Sequence, residues 1–453
     1  MNLSRRTVLL FVVLCMGPVM AHAQDVIIPG APPAQTTQAP AKPQPQTPSQ
    51  QPPPAKPASI DDTIEAGEAD AARSGRRMAK WNEFDGKYAS IRFGWGFAWD
   101  YGAFEQDDNS KEQIALENKN KLRDFRFLLK GRLKFFGERK VTYTVGVMYD
   151  GGNEEWVMRQ TGLMFELPKN GGSLFLGRTK EGFSMSKIMV GYEILGVERM
   201  PMNDAIVPIL ADGIKWTGNA PKLHLIWNLG AFADFLSEKQ NFNNSEHQVV
   251  GRLVWVPVLS DAGRGSVLHL GVAVRHAKAD DGQLQLRARP ESWVAPYFVD
   301  TGKFNAIDST ATGLEVYYRP GPLLVGGEYF FDHVDAPEKG SPLFHGGEAM
   351  VTWMATGETR PYNSKGGYFE RIQPARSVFR GGPGAWEVIT RFSYSDVDGG
   401  TLTGGKLWRF TPMVNWHLDS FLRLSFVYGY GSLDRFGLVG KTHFFQMRFL
   451  TSY

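Results

Sequence analysis

Arg126, Lys130, Arg132 and Lys134 stand at even spacings along one stretch of chain. In an extended backbone that spacing puts all four cations on one side. Rings of Arg and Lys in a pore favour anions and phosphate. A guanidinium adds a planar fork that can hold two phosphate oxygens at once. The same parity gathers Arg92, Lys140, Arg252, Arg275, Arg391, Arg409 and Arg423, together with Arg448. Asp100, Asp124, Glu315, Glu328, Glu348 and Glu387 share the face, where bases outnumber acids. These bases are the candidate pore-lining, anion-binding residues. The competing role for them is to pair with the carboxylates and hydrate a lumen. A second source of basic groups is the long segment that follows the short strand Leu174 to Arg178 and runs through Ser184, Tyr192, Glu193 and Glu198. Connections this long are uncommon unless functional. Folded inward it would narrow a bore, with Lys180, Lys187 and Arg199 as candidate constriction residues; otherwise it is an outer lid or a subunit contact.

Nothing in the sequence points to catalysis. His224, His269 and His417 share the inward parity, but none has a motif neighbour that would supply a triad partner. No His, Cys and carboxylate spacing matches a metal-ligand set. The reading is of no enzyme, no metal and no cofactor.

The elements that hold these bases are strands. Ala89, Ile91, Phe93, Trp95, Phe97 and Trp99 alternate with polar or small residues, as do Phe125, Phe127, Leu129, Leu133 and Phe135. Val141, Tyr143, Val145, Val147 and Tyr149 continue the pattern, and similar stretches recur to residue 453. Period two means strands with one apolar and one polar face. Several approach the ~9–11 residues that a tilted strand needs to cross a bilayer. Their apolar faces carry Trp and Tyr near the ends, like interfacial girdles. In hydrocarbon every backbone amide must be paired, so a spanning sheet must close on itself. The expected fold is all-β, a transmembrane antiparallel barrel over residues 85–453, ending in Phe445, Met447, Phe449 and Tyr453 on one face.

The N-terminal region supplies the address. Of 453 residues only one is Cys, and it is Cys15, inside the apolar stretch that follows Arg5 and Arg6. With Ala21-His22-Ala23 as a cleavage site, residues 1–23 form a signal peptide cut after Ala23. Residues 24–59 are a Pro/Gln-rich spacer, and 60–84 form a short periplasmic helical segment. The formal charge of +3 comes entirely from residues 1–60, so there is no basic stripe for nucleic acid.

Several motifs resemble the phosphate-selective porins of the O and P type. They are Lys80-Trp81-Asn82-Glu83-Phe84-Asp85-Gly86 and Gly177-Arg178-Thr179-Lys180-Glu181-Gly182-Phe183-Ser184. Arg287-Ala288-Arg289-Pro290-Glu291 with Tyr297-Phe298-Val299-Asp300-Thr301-Gly302 is the most specific. Thr356-Gly357-Glu358-Thr359-Arg360-Pro361-Tyr362 and Gly384-Ala385-Trp386-Glu387 follow in order. Gly182 stands where the family pattern usually has proline. The resemblance implies about 16 strands, an inward constriction loop, a homotrimer in the bacterial outer membrane among its lipid and lipopolysaccharide, and passage of phosphate or related small anions. A general porin without selectivity and a non-conducting, partner-binding barrel are the alternatives.

Overall fold

The computed structural model describes residues 82–453, apart from 137–139, 153, 169–170, 234–244 and 264. The signal peptide, the Pro/Gln-rich spacer and most of the helical segment expected at 60–84 lie outside the described residues. Where the last of these is described, it is not helical. Glu83–Asp85 is extended and pairs with Ser90 to Arg92. The tight turn closed by Gly86 N–H to the Ala89 carbonyl returns the chain onto it.

Sixteen antiparallel strands then close on themselves. Strand β1 is Ser90–Gln106, β2 is Lys119–Leu133 and β3 is Val141–Asp150. Strand β4 is interrupted, Glu155–Met158 and then Thr161–Glu166, with both pieces paired to β3. Ser173–Thr179 is β5, Ala211–Ala220 β6, Leu225–Ala233 β7 and Ser245–Leu259 β8. Val267–Ala279 is β9, Asp308–Arg319 β10, Leu323–Asp335 β11 and Leu343–Met354 β12. The last four are β13, Ala385–Gly399; β14, Leu402–Asp419; β15, Leu422–Arg435; and β16, Leu438–Ser452. Strand β16 pairs with β1 from Gly96↔Ser452 to Gln106↔Thr442. Tyr453 and Trp95 exchange backbone hydrogen bonds of 2.8 and 3.0 Å beyond that register. No edge is left open, which is what a sheet in hydrocarbon requires. Among the described residues no helix is long and apolar enough to cross a membrane; the strands do so.

Strands β4 and β6 are the two that alternation does not reveal. Arg159 and Gln160 break the first, and the second carries Gly213, Gly218 and Asn219 among its few apolar residues.

The outer face is apolar and exposed, with Ile214 at 49%, Trp255 at 49% and Val316 at 54% exposure. At the end of the barrel where β1 begins and β16 finishes, the terminal end, Trp386 stacks on Trp416 at 5.0 Å and Trp216 meets Trp227 at 5.5 Å. The inside differs from a uniformly wet lumen. Phe330, Phe344 and Phe444 point inward from the wall and pack with Phe183, Met200 and Met202 and with Leu286 and Phe298. Those partners come from segments between strands. The barrel therefore contains a hydrophobic core of its own.

Candidate functional site

Three inter-strand segments fold into the bore. Residues 180–210 join β5 to β6 and residues 280–307 join β9 to β10; both descend from the end opposite the start of β1. Residues 355–384 join β12 to β13 and enter from the terminal end.

The first segment spans the bore from wall to wall. Glu315 on β10 accepts from the Met185 N–H at 3.1 Å, and Glu328 on β11 from the Ser186 N–H at 3.1 Å. Across the barrel, Glu198 accepts from Arg123 on β2 at 2.8 Å and from Arg448 on β16. Burial works against the Glu198 charge, but Arg123 and then Arg448 outweigh it and hold its carboxyl below the ordinary range. Of the two placements open in the sequence, the inward one is therefore the observed one. Gly182 begins the segment against Asn228, where a Cβ would lie 2.4 Å from that side chain's own Cβ. That close approach explains a residue without a side chain at this position.

The second segment is a hairpin, with Gln283–Leu284 paired to Phe304–Asn305 and Arg287–Ala288 to Val299–Asp300. Its tip residue Glu291 reaches the far wall, where it meets Arg391 on β13 at 2.5 Å and accepts from Ser393 and from Thr411. The third segment is held by Arg360 to Glu387 at 2.7 Å and by Arg371 to Glu193 of the first segment at 3.0 Å. Arg252 also donates to its Gly367 carbonyl at 2.8 Å.

These contacts decide what the sequence-assigned bases do. On the wall, most are committed. Arg252 forms a two-pronged pair with Glu315 at 2.7 and 2.8 Å. Arg275 meets Glu181 at 2.8 Å. Arg391 meets Glu291 and Glu348, and Arg409 lies 3.9 Å from Glu291 and 4.3 Å over the Phe444 ring. Arg126 pairs with Asp124 at 2.7 Å and covers the Tyr192 ring at 4.0 Å. Toward the terminal end, Arg92 pairs with Glu83 at 3.0 Å, Lys140 with Glu166 at 3.5 Å and Lys134 with Asp85. Lys130 is buried. The Arg132 guanidinium has no ion pair among the described residues, and Arg423 is buried with Nε and Nη2 lacking hydrogen-bond partners there. The competing role, pairing with inward carboxylates, thus describes most of the wall.

The expected constriction residues lie on the inward segment and have partners within it. Lys180 donates to the Met189 carbonyl at 2.5 Å and Lys187 pairs with Asp204 at 2.9 Å. Arg199 donates to the Ser186 carbonyl at 2.7 Å. Of the three, Arg199 also lines a cavity.

That cavity, of about 170 Å³, lies between the first two segments. Along it runs an alternating stack that the sequence reading did not assign. Arg123 lies 3.6 Å over the Trp293 ring, and Arg289 lies 4.9 Å from Trp293 and 4.8 Å from Tyr297. Arg287 then covers Tyr297 at 4.4 Å. Rings attract the guanidinium planes without neutralising them. Arg287 and Arg289 have no carboxylate partner among the described residues, whereas Glu198, Asp204 and Glu291 in the same lining are paired elsewhere. Parity hid Arg123. The register between β1 and β2 slips between Ala98 and Trp99, so that Ala98 faces Asp124 and Trp99 faces Leu122. Arg123 is the extra residue, and it turns inward. Its position among lipid-facing neighbours was the available signal, because a charge there costs roughly 2–4 kcal/mol near the bilayer centre. Among the described residues no group of three or more His, Cys, Asp or Glu is placed to hold a metal.

The family model for phosphate-selective porin O and P matches residues 91–449. An uncharacterized protein of Caulobacter vibrioides is 27% identical over 217 residues, which is 45% of this chain and 42% of that protein. Porin O of Pseudomonas aeruginosa is 23% identical over 201 residues, 38% of this chain and 45% of that one. The matches span less than half the length of either relative. The anion-selective porin from Comamonas acidovorans superposes with a TM-score of 0.51 at 11% identity, covering 80% of this chain and 99% of that one. That likeness concerns the fold alone.

Proposed function

The chain belongs to the phosphate-selective porin O and P family, and from that premise we propose that it passes small anions, phosphate among them, with selection at the cavity between the two inward segments. It is an outer-membrane β-barrel porin, and family and fold point to a channel rather than an enzyme. The observation that carries the anion reading is the pair Arg287 and Arg289. These guanidiniums line the cavity with rings, not carboxylates, as their stacking partners. A positive potential at the mouth of a low-dielectric passage concentrates counter-ions there. The wall bases Arg252, Arg275, Arg391 and Arg126 add little to it, because their fields are cancelled at short range by Glu315, Glu181, Glu291 and Asp124. The barrel end opposite the start of β1 faces outward from the cell, and the functional unit is a homotrimer seated in outer-membrane lipid and lipopolysaccharide.

The packed interior favours a second reading, a barrel that conducts nothing and presents its loops to a partner. Zero-current potentials across planar bilayers under a salt gradient separate the two. The proposal expects an anion-selective potential with potassium chloride and again with potassium phosphate. Cation selectivity contradicts it, and absence of conductance favours the second reading.

A further inference from the structure

The outer cavity has two lining chemistries, and inorganic phosphate uses only one of them. Arg287 and Arg289 offer N–H edges to an anion. Ile206, Ile209, Leu284 and Leu286 offer aliphatic surface, from which a hydrated inorganic ion gains nothing and an apolar body gains free energy on burial. The space matches one ring: an apolar cavity of ~150 Å³ accepts benzene, and this one holds about 170 Å³. The stacking order points the same way. Arg287 is exposed and lies over Tyr297 on one side, so its other face is open to a further ring, as guanidiniums stack on aromatic faces. Trp293 adds a buried Nε1–H with no partner among the described residues. Of the five carboxylates in the lining, Asp150 accepts the Gly152 N–H at 2.9 Å, Asp332 is buried in the wall, and the other three are paired with cations. Glu198 faces Arg123 and Arg448, Asp204 faces Lys187, and Glu291 faces Arg391.

Resting on the reading of this cavity as the anion-selective site, we propose that it binds single-ring aromatic carboxylates. The ring lies between Arg287 and the aliphatic lining, and the carboxylate takes the N–H groups of Arg289 other than the one given to the Ala295 carbonyl. Such compounds are then retained in the passage longer than inorganic anions.

The full chain in planar bilayers, bathed in symmetric potassium chloride, is titrated with benzoate and separately with formate, which is the same head without a ring. The expected result is a saturable reduction of chloride current, with a midpoint at least tenfold lower for benzoate. Leu284→Asn is expected to bring the two midpoints within threefold of each other. If the wild-type channel is anion-selective but benzoate and formate act at equal concentrations, the inference fails and the anion reading stands. If Leu284→Asn leaves the tenfold ratio intact, benzoate binds elsewhere and the inference fails as well. A channel that shows neither anion preference nor a benzoate effect removes both readings.

Discussion

Arg252 on the wall and Arg289 on an inward segment both face the interior, yet they are held in opposite ways. Arg252 is fully enclosed, gives two hydrogen bonds to Glu315 and a third to the Gly367 carbonyl, and so joins β8 to β10 and to the third inward segment. Arg289 lies between Trp293 and Tyr297 and has no carboxylate partner among the described residues. A guanidinium neutralised by a carboxylate is a structural cross-link. One held between rings keeps its charge available to a passing ion. Wall bases such as Arg252, Arg275 and Arg391 therefore fix the segments, and the segment bases Arg287 and Arg289 meet the solute.

Substitutions can break this division, beginning with the strongest anchor. Glu291→Ala removes the tip contact of residues 280–307 and leaves Arg391 with a weakened set of partners. Breaking a buried ion pair costs about 3–5 kcal/mol. The segment should leave its seat, with raised single-channel conductance and new protease cleavage within 280–307. Acid should act on the first segment through Glu198. Its carboxyl is held below the ordinary range in the fold. The contribution to seating is thus complete above the usual glutamate value of about 4.3 and is lost only as pH falls through the lower folded value. The conductance change that belongs to Glu198 should therefore lie below that ordinary value and be missing from Glu198→Gln; the same change persisting in Glu198→Gln would contradict the assignment. Arg132→Ala removes a guanidinium that has no ion pair, but at the terminal end of β2 and away from the outer cavity. Its zero-current potential should shift toward cations by less than half the shift seen on removing Arg287 and Arg289 together. Smallest is Lys278→Ala, at an exposed pair with Glu246. Such pairs contribute roughly 0–1 kcal/mol, and neither conductance nor heat-induced unfolding in detergent should move measurably.

The wall was legible because its physics is local. Phe93, Trp95, Phe97 and Trp99 must face lipid together, and period two states that directly. The strand pattern, the closure at the C-terminal aromatic strand and the inward side of Arg252, Arg391 and Arg409 all follow from it. What lies inside was harder to read, because parity assigns a face but no partner. Gly96 and Gly102 look like unremarkable members of the polar face of β1. In the fold, a Cβ at Gly96 would lie 2.2 Å from Tyr192 of the first segment, and one at Gly102 would lie 2.2 Å from Val294 of the second. They are the places where the wall gives way to the segments, and neither partner is near in sequence. Phe330, Phe344 and Phe444 sit on the polar parity for the same reason: they pack against segments, not against lipid. The Arg287-Ala288-Arg289 spacing was visible, but its rings at Trp293 and Tyr297 become neighbours only when the hairpin folds back.

The claim that selectivity resides in the inward segments, and not in the wall, is tested most directly by charge reversal at the outer cavity. The zero-current potential of Arg287→Glu/Arg289→Glu should be compared with that of the unaltered chain under the same potassium chloride gradient. The account predicts an anion-selective potential for the unaltered chain and its loss or inversion in the double variant. An unchanged, anion-selective potential in the double variant would return the selectivity to the wall and contradict it.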